Sequence, residues 1–149
     1  MPINQLPLFE QIIELKNSGR FVEINQLIPY TSFVKLELQE GDEGLLTILR
    51  QTDSNIGNTK IPAVHGGVVG GLLEQAAVME VIYRCDMMRF PKIINISVDY
   101  LRPVNALKDT YARAMLIKQG RSVSNVRVEA WQDDSKRLVA AAHAHFLMK

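Results

Sequence analysis

Leu8, Phe9, Ile12, Ile13 and Leu15 recur at helical spacing near the start of the chain, and Gly19 stands where such a helix would stop. The spacing predicts a short amphipathic helix over about residues 6–18. Two apolar runs follow, Phe33-Val34-Lys35-Leu36-Glu37-Leu38 and Leu45-Leu46-Thr47-Ile48-Leu49. They flank the turn formers Gly41-Asp42-Glu43-Gly44 and read as a hairpin. Polar residues fill Thr52–Thr59, after which a segment at about 66–84 is apolar nearly all round and reads as a long helix. Beyond it the period drops to two: Ile94, Ile96, Val98 and Tyr100 alternate with Asn95, Ser97 and Asp99. Arg102-Pro103-Val104-Asn105 ends that strand, since Pro cannot donate to a ladder. Further strands are expected at about 108–118, 122–132 and 137–148, parted by Gln119-Gly120-Arg121 and Asp133-Asp134-Ser135-Lys136. Connections this short require antiparallel pairing. A helix without a polar face must be covered on most sides, and a sheet curling around it does so. The expected fold is α+β, an antiparallel β-sheet wrapped around a long central helix, with a short N-terminal helix.

At 149 residues the chain suits one domain, 1–149, in which residues 1–29 form an N-terminal helical extension. A chain of this size buries roughly 70% of its unfolded surface. Its formal net charge of +1 gives no general attraction for nucleic acid or anionic membrane, so neither is expected as a partner. The single cysteine, Cys85, excludes an internal disulfide and fits a reducing compartment. Met1-Pro2-Ile3-Asn4 lacks the basic start and apolar run of a secretory signal. Ile61–Leu73, the least polar stretch, is too short to span a bilayer, and Glu74 and Glu80 interrupt its continuation. A cytoplasmic location is the expectation.

The segment Val64-His65-Gly66-Gly67-Val68-Val69-Gly70-Gly71-Leu72-Leu73-Glu74-Gln75-Ala76-Ala77 carries the candidate chemistry. It sets a loop histidine and a Gly-Gly pair at the start of the apolar helix and one carboxylate partway along it. Burying that charge unpaired costs several kcal/mol or shifts its pKa, so Glu74 is either a solvated surface residue or the centre of a site. Its helical neighbours are Gly70, Gly71, Ala77 and Val78, with no Lys or Arg at salt-bridge spacing, which leaves room for a ligand. Glu80, by contrast, precedes Arg84 by four residues and reads as a structural pair.

Several short motifs, in their order and spacing, resemble those of a known family. His65-Gly66-Gly67 followed by Glu74 resembles the helix start of hotdog-fold acyl-CoA thioesterases of the PaaI type, within the 4-hydroxybenzoyl-CoA thioesterase superfamily. Asp99-Tyr100-Leu101-Arg102-Pro103 is similar to the family's strand ending in Leu-Arg-Pro, Gln119-Gly120-Arg121-Ser122 to its Gly-Arg turn, and Val139-Ala140-Ala141-Ala142 to its small-residue last strand. The likeness spans roughly residues 30–148. It implies the hotdog fold, thioester hydrolysis with coenzyme A as part of the substrate and no separate cofactor, and acyl-CoA bound at a subunit interface.

Thioester hydrolysis asks for a polarised carbonyl and an attacking water or carboxylate. Backbone N–H groups at a helix N-terminus polarise, and Gly66 and Gly67 admit a substrate to them because no Cβ stands in the way. Glu74 is the general base on water or the nucleophile, and the sequence leaves both roles open. At 1.5 Å per residue Glu74 lies about 12 Å along the axis from Gly66, too far for both to reach one carbonyl from the same chain. Two antiparallel helices across a two-fold axis would put Glu74 of one subunit beside Gly66 of the other. A homodimer with shared sites is therefore expected, with a dimer of dimers, a homotetramer, as an extension.

His65 either positions the thioester or fixes the turn through its own hydrogen bonds. His143 and His145, two apart on the last strand, face one side. That spacing can bind a metal, but no carboxylate or cysteine joins them, so a polar outer face is preferred and no metal is expected. Relatives carry Asn or Gln about six residues before the histidine; here Thr59 holds that place and Asn58 precedes it, so both are substrate-binding candidates. Gln75 and Val78 stand where many relatives keep a hydroxyl, and they too are candidates beside the substrate. Arg121, then Arg89 and Lys92, are the basic groups expected to meet the CoA phosphates. The leading expectation is a thioesterase for aryl- or medium-chain acyl-CoA. The alternative is a non-catalytic acyl-CoA-binding module, while a dehydratase would need a His-Phe-Pro-type loop that this chain lacks.

Overall fold

The computed structural model describes all residues 1–149. Helix α1 (Leu8–Asn17) follows a 3-10 turn at Ile3–Gln5 and buries Ile12 and Leu15. Gly19 ends it with φ of 71°: its N–H donates to the Lys16 carbonyl at 3.0 Å and that of Arg20 to the Leu15 carbonyl at 2.8 Å. These are the paired bonds of a left-handed helix stop.

Two helices unseen in the hydrophobic pattern complete the extension, α2 (Phe21–Leu27) and α3 (Pro29–Phe33). Phe33 and Val34, expected in the first strand, instead end α3. Pro29 opens that helix at a position where its missing N–H costs nothing. Lys35, with φ of 68°, then turns the chain into β1 (Leu36–Gly41). The hairpin with β2 (Gly44–Leu49) closes at the Gly41–Gly44 pair.

The polar stretch after β2 holds more structure than its composition suggests. A 3-10 turn at Asp53–Asn55 leads into β3 (Ile56–Asn58), which pairs with β4 (Ala63–Val64) in a small separate sheet. The long helix α4 (Gly66–Arg84) starts directly after it, at the bounds read from the sequence. The remaining strands are β5 (Lys92–Tyr100), β6 (Thr110–Gln119), β7 (Val123–Trp131) and β8 (Ala140–Leu147).

One antiparallel sheet runs in the order β1-β2-β6-β7-β8-β5. The β6–β7–β8 meander forms as expected, whereas β5 crosses to the far edge and pairs with β8 rather than with β6. The inner face is dominated by small residues, among them Ala112, Ala130, Ala142 and Ala144, so the sheet closes tightly on α4. Leu72, Leu73, Val81 and Ile82 of α4 are fully buried against it. Each such side chain contributes about 1.5–3 kcal/mol, enough to hold the helix while another of its faces stays open. Lys16 ties the extension to the far end of α4, its Nζ donating to the Ile82 carbonyl at 2.8 Å. No helix is long and apolar enough to cross a membrane.

Candidate active site

The start of α4 is held from three sides. From the segments flanking the small sheet, the Asn55 carbonyl accepts the N–H of His65 at 2.8 Å and the Val104 carbonyl, after β5, accepts that of Val64 at 2.9 Å. Gly57 packs so closely there that a Cβ would lie 2.6 Å from the His65 Cα. From β5, the Tyr100 hydroxyl donates to the Gly66 carbonyl at 2.9 Å. From within the turn, the His65 Nδ1 accepts the N–H of Gly67 at 2.9 Å, and its carbonyl accepts those of Val68 and Val69. His65 is thus the N-cap of α4, the turn-fixing role of the two considered.

This pattern separates the two glycines. The Gly67 N–H is spent on the histidine, while the N–H of Gly66, at an exposed position, has no acceptor within the chain. An orphan N–H at the positive end of a nineteen-residue helix suits an oxyanion.

Glu74 stands exposed on the same helix with no ion-pair or hydrogen-bond partner. It borders an open groove of about 560 Å³ whose floor on α4 is Gly67, Gly70, Gly71, Gln75 and Val78. One wall carries Ile96 and Val98 of β5 and Phe90 and Pro91 before it; the other carries Ile28 and Tyr30 from the extension. The groove is mainly apolar, so a carboxylate in it meets little competing polarity. Glu80, two turns along, is buried and paired with Arg84 at 2.9 Å, and it holds that guanidinium above its ordinary pKa through the hydrogen bond.

The other candidate residues divide. Gln75 and Val78 line the groove, Gln75 with its Nε2 committed to Asn25 Oδ1 at 2.8 Å. Asn58, which ends β3, and Thr59, in the turn after it, are exposed and lie outside the groove of their own chain; Asn58 Oδ1 accepts the Lys60 N–H at 2.9 Å. Arg89, Lys92 and Arg121 are exposed at the opposite end of the molecule from Gly66: Lys92 and Val123 both pair with Leu147, and Arg121 lies in the turn just before Val123. His143 is exposed, and His145 Nδ1 lies 2.7 Å from Asn95 Oδ1 on the outer sheet face.

Residues 55–147 match the family described as the acyl-CoA thioesterase N-terminal domain. The chain belongs to this thioesterase family. It is a thioester hydrolase with the hotdog fold of PaaI-related proteins. Among solved structures, a protein of Chromobacterium violaceum is 33% identical to it, the alignment covering 94% of this chain and 97% of that one, with a TM-score of 0.78. A phenylacetic acid degradation-related protein of Ralstonia eutropha is 26% identical over 85% and 98% of the two chains, with a TM-score of 0.71. A Bacillus halodurans protein solved with CoA shares the fold at 20% identity, over 94% and 92%, with a TM-score of 0.71. No curated protein sequence matches the chain.

In this thioesterase several residues around the site escaped sequence reasoning. Tyr100 was legible only as the last residue of the alternating apolar set, and its bond to Gly66 spans thirty-four positions. Gly57 stands between Ile56 and Asn58, and nothing in that local order marks its close approach to His65. Asn25 and Tyr30 sit in helices that the periodicity did not reveal.

Proposed function

We propose that this thioesterase hydrolyses an aryl- or medium-chain acyl-CoA in a site shared between two subunits. Gly66 of one subunit polarises the thioester carbonyl, and Glu74 of the other attacks it as nucleophile or activates water as general base. The observation that carries this reading is the pairing of two unsatisfied groups on one continuous helix. The free Gly66 N–H and the unpaired Glu74 are about 12 Å apart along the axis, so they complete a site only with a second copy.

The edge strand supports the second copy. β5 leaves its outer hydrogen-bonding edge open along Lys92–Tyr100, with Ile94 54% and Tyr100 59% exposed. An open apolar edge invites pairing with another strand. β5 lies beside α4, so pairing β5 with its copy across a two-fold axis runs the two α4 helices antiparallel, as the shared site requires. In that arrangement Arg89, Lys92 and Arg121 of one subunit flank the helix start of the other. They are then placed to meet the phosphates of a CoA whose thioester lies at Gly66. The CoA in the Bacillus halodurans protein of the same fold agrees with this ligand class.

Hydrolysis of a panel of acyl-CoAs by the wild type and by Glu74→Gln, read as free thiol released, tests the reading. The expected result is turnover by the wild type and a loss of a hundredfold or more in the variant, in the range of general acid–base catalysis. Equal rates for both proteins would remove Glu74 from the mechanism. Absence of any thiol release by the wild type would overturn the acyl-CoA assignment.

A further inference from the structure

We infer that Tyr30 is a specificity-determining residue, limiting the bulk of the acyl group next to the thioester carbonyl. The inference rests on the acyl-CoA reading above. Tyr30 belongs to the N-terminal extension, outside residues 55–147 that match the family, and it forms the groove wall opposite β5.

Its ring enters the groove because Gly71 lacks a side chain. A Cβ on Gly71 would lie 2.4 Å from the Tyr30 hydroxyl oxygen and 3.1 Å from Cε1, so the tyrosine fills the volume a larger residue would take. Gly71 precedes Glu74 by three positions, about 4.5 Å along the axis. The ring therefore borders the first atoms of the acyl group beyond the carbonyl and not the distant end of a chain.

The wall is also anchored. Thr31 Oγ1 donates to the Asn25 carbonyl at 2.7 Å, and Asn25 Oδ1 accepts from Gln75 Nε2 at 2.8 Å. Asn25 and Gln75 are 1% and 9% exposed, so this amide pair is a buried tie between α2 and α4, one helical turn beyond Gly71. Tyr30 itself is 48% exposed and its hydroxyl makes no hydrogen bond within the chain. Its ring is held by the anchored backbone, so the side chain can be exchanged without breaking a polar network.

The test is a graded series, Tyr30→Phe, Tyr30→Leu and Tyr30→Ala, each checked by circular dichroism and thermal melting. The quantity read is the ratio of kcat/KM for an aryl or α-branched acyl-CoA to that for a straight-chain acyl-CoA with the same number of carbons. Discrimination by pocket size of one or more methylene groups is worth about tenfold or more, so the ratio should rise at least tenfold from wild type to Tyr30→Ala, with Tyr30→Leu between. Tyr30→Phe should keep the wild-type ratio within about twofold, because its ring fills the same space. A ratio unmoved in folded Tyr30→Leu and Tyr30→Ala would overturn the inference while leaving the acyl-CoA reading intact. Binding of S-alkyl- and S-benzyl-CoA thioethers, which have no scissile carbonyl, should show the same ordering of Kd ratios. That measurement reports on Tyr30 even if thioester turnover fails and the acyl-CoA assignment with it.

Discussion

His65 caps its own helix by accepting the Gly67 N–H at Nδ1, 2.9 Å away, and the cap leaves the neighbouring Gly66 N–H without an acceptor. One of two adjacent orphan donors is spent on holding the turn, and the other is the donor that the proposed mechanism uses to polarise the thioester. Loss of a side-chain cap costs about 1 kcal/mol, so His65→Ala should lower stability by that amount, whereas His65→Asn supplies another capping oxygen and should recover most of it. Urea unfolding midpoints at constant m-value decide the matter. Equal midpoints for His65→Ala and the wild type would show that the cap carries no weight.

Gly57 links the small sheet to the same turn. A Cβ at that position meets the His65 Cα at 2.6 Å and its backbone N at 3.1 Å, contacts that only backbone movement can relieve. Gly57→Ala should therefore destabilise the fold by about 1–3 kcal/mol through overpacking. It should also lower kcat, because the shift moves the Gly66 N–H. A variant with wild-type stability and kcat would place the close approach elsewhere.

Glu80 is 4% exposed and depends on half-exposed Arg84, which donates to it at 2.9 Å. Arg84→Met leaves the carboxylate buried without that partner. A loss of about 1 kcal/mol is expected, toward the low end of the usual range because water reaches Arg84. Replacing both residues by Met should cost less than the sum of the two single changes, which a double-mutant cycle by chemical denaturation will read. Strict additivity would mean the pair is uncoupled.

Cys85, at the C-terminal end of α4, is 3% exposed, and burial pushes its thiol above the ordinary value, with Lys16 pulling the other way. A folded-state pKa above the unfolded one contributes stability that is complete below the unfolded value and is lost as pH rises through the folded one. Stability of the wild type should thus fall on the alkaline side of the free thiol range, about pH 8.5. Cys85→Ala should lose less between neutral and alkaline pH in paired urea titrations. Identical pH profiles would mean the thiol does not contribute.

The long helix and the isolation of Glu74 were readable from residue order because both are local properties. Apolar residues on every side demand burial of the helix, glycines mark its start, and the absence of Lys or Arg one turn away shows in the spacing. The hairpin and the three-strand meander were equally local. What lay hidden depends on contacts between distant positions. α2 and α3 are short helices held by Asn25–Gln75 and Pro29, and β3 and β4 are too brief to carry a period. β5 reaches the far edge through its pairing with β8, and the Tyr100–Gly66 bond follows from that placement. The proposed site was therefore legible as two half-sites, Gly66 and Glu74, while the Tyr30 wall of the groove was not.

The shared site is tested most directly by mixing two inactive variants. Glu74→Gln removes the carboxylate, and Gly66→Pro removes the free N–H at a first helical position that proline tolerates. If Gly66 of one subunit works with Glu74 of the other, a mixed dimer holds one intact site and one site with both defects. Random 1:1 reassembly should then recover about a quarter of wild-type acyl-CoA hydrolysis from two proteins that are each inactive. If both groups act within one chain, every site in the mixture keeps a defect, and hydrolysis stays at the level of the separate variants.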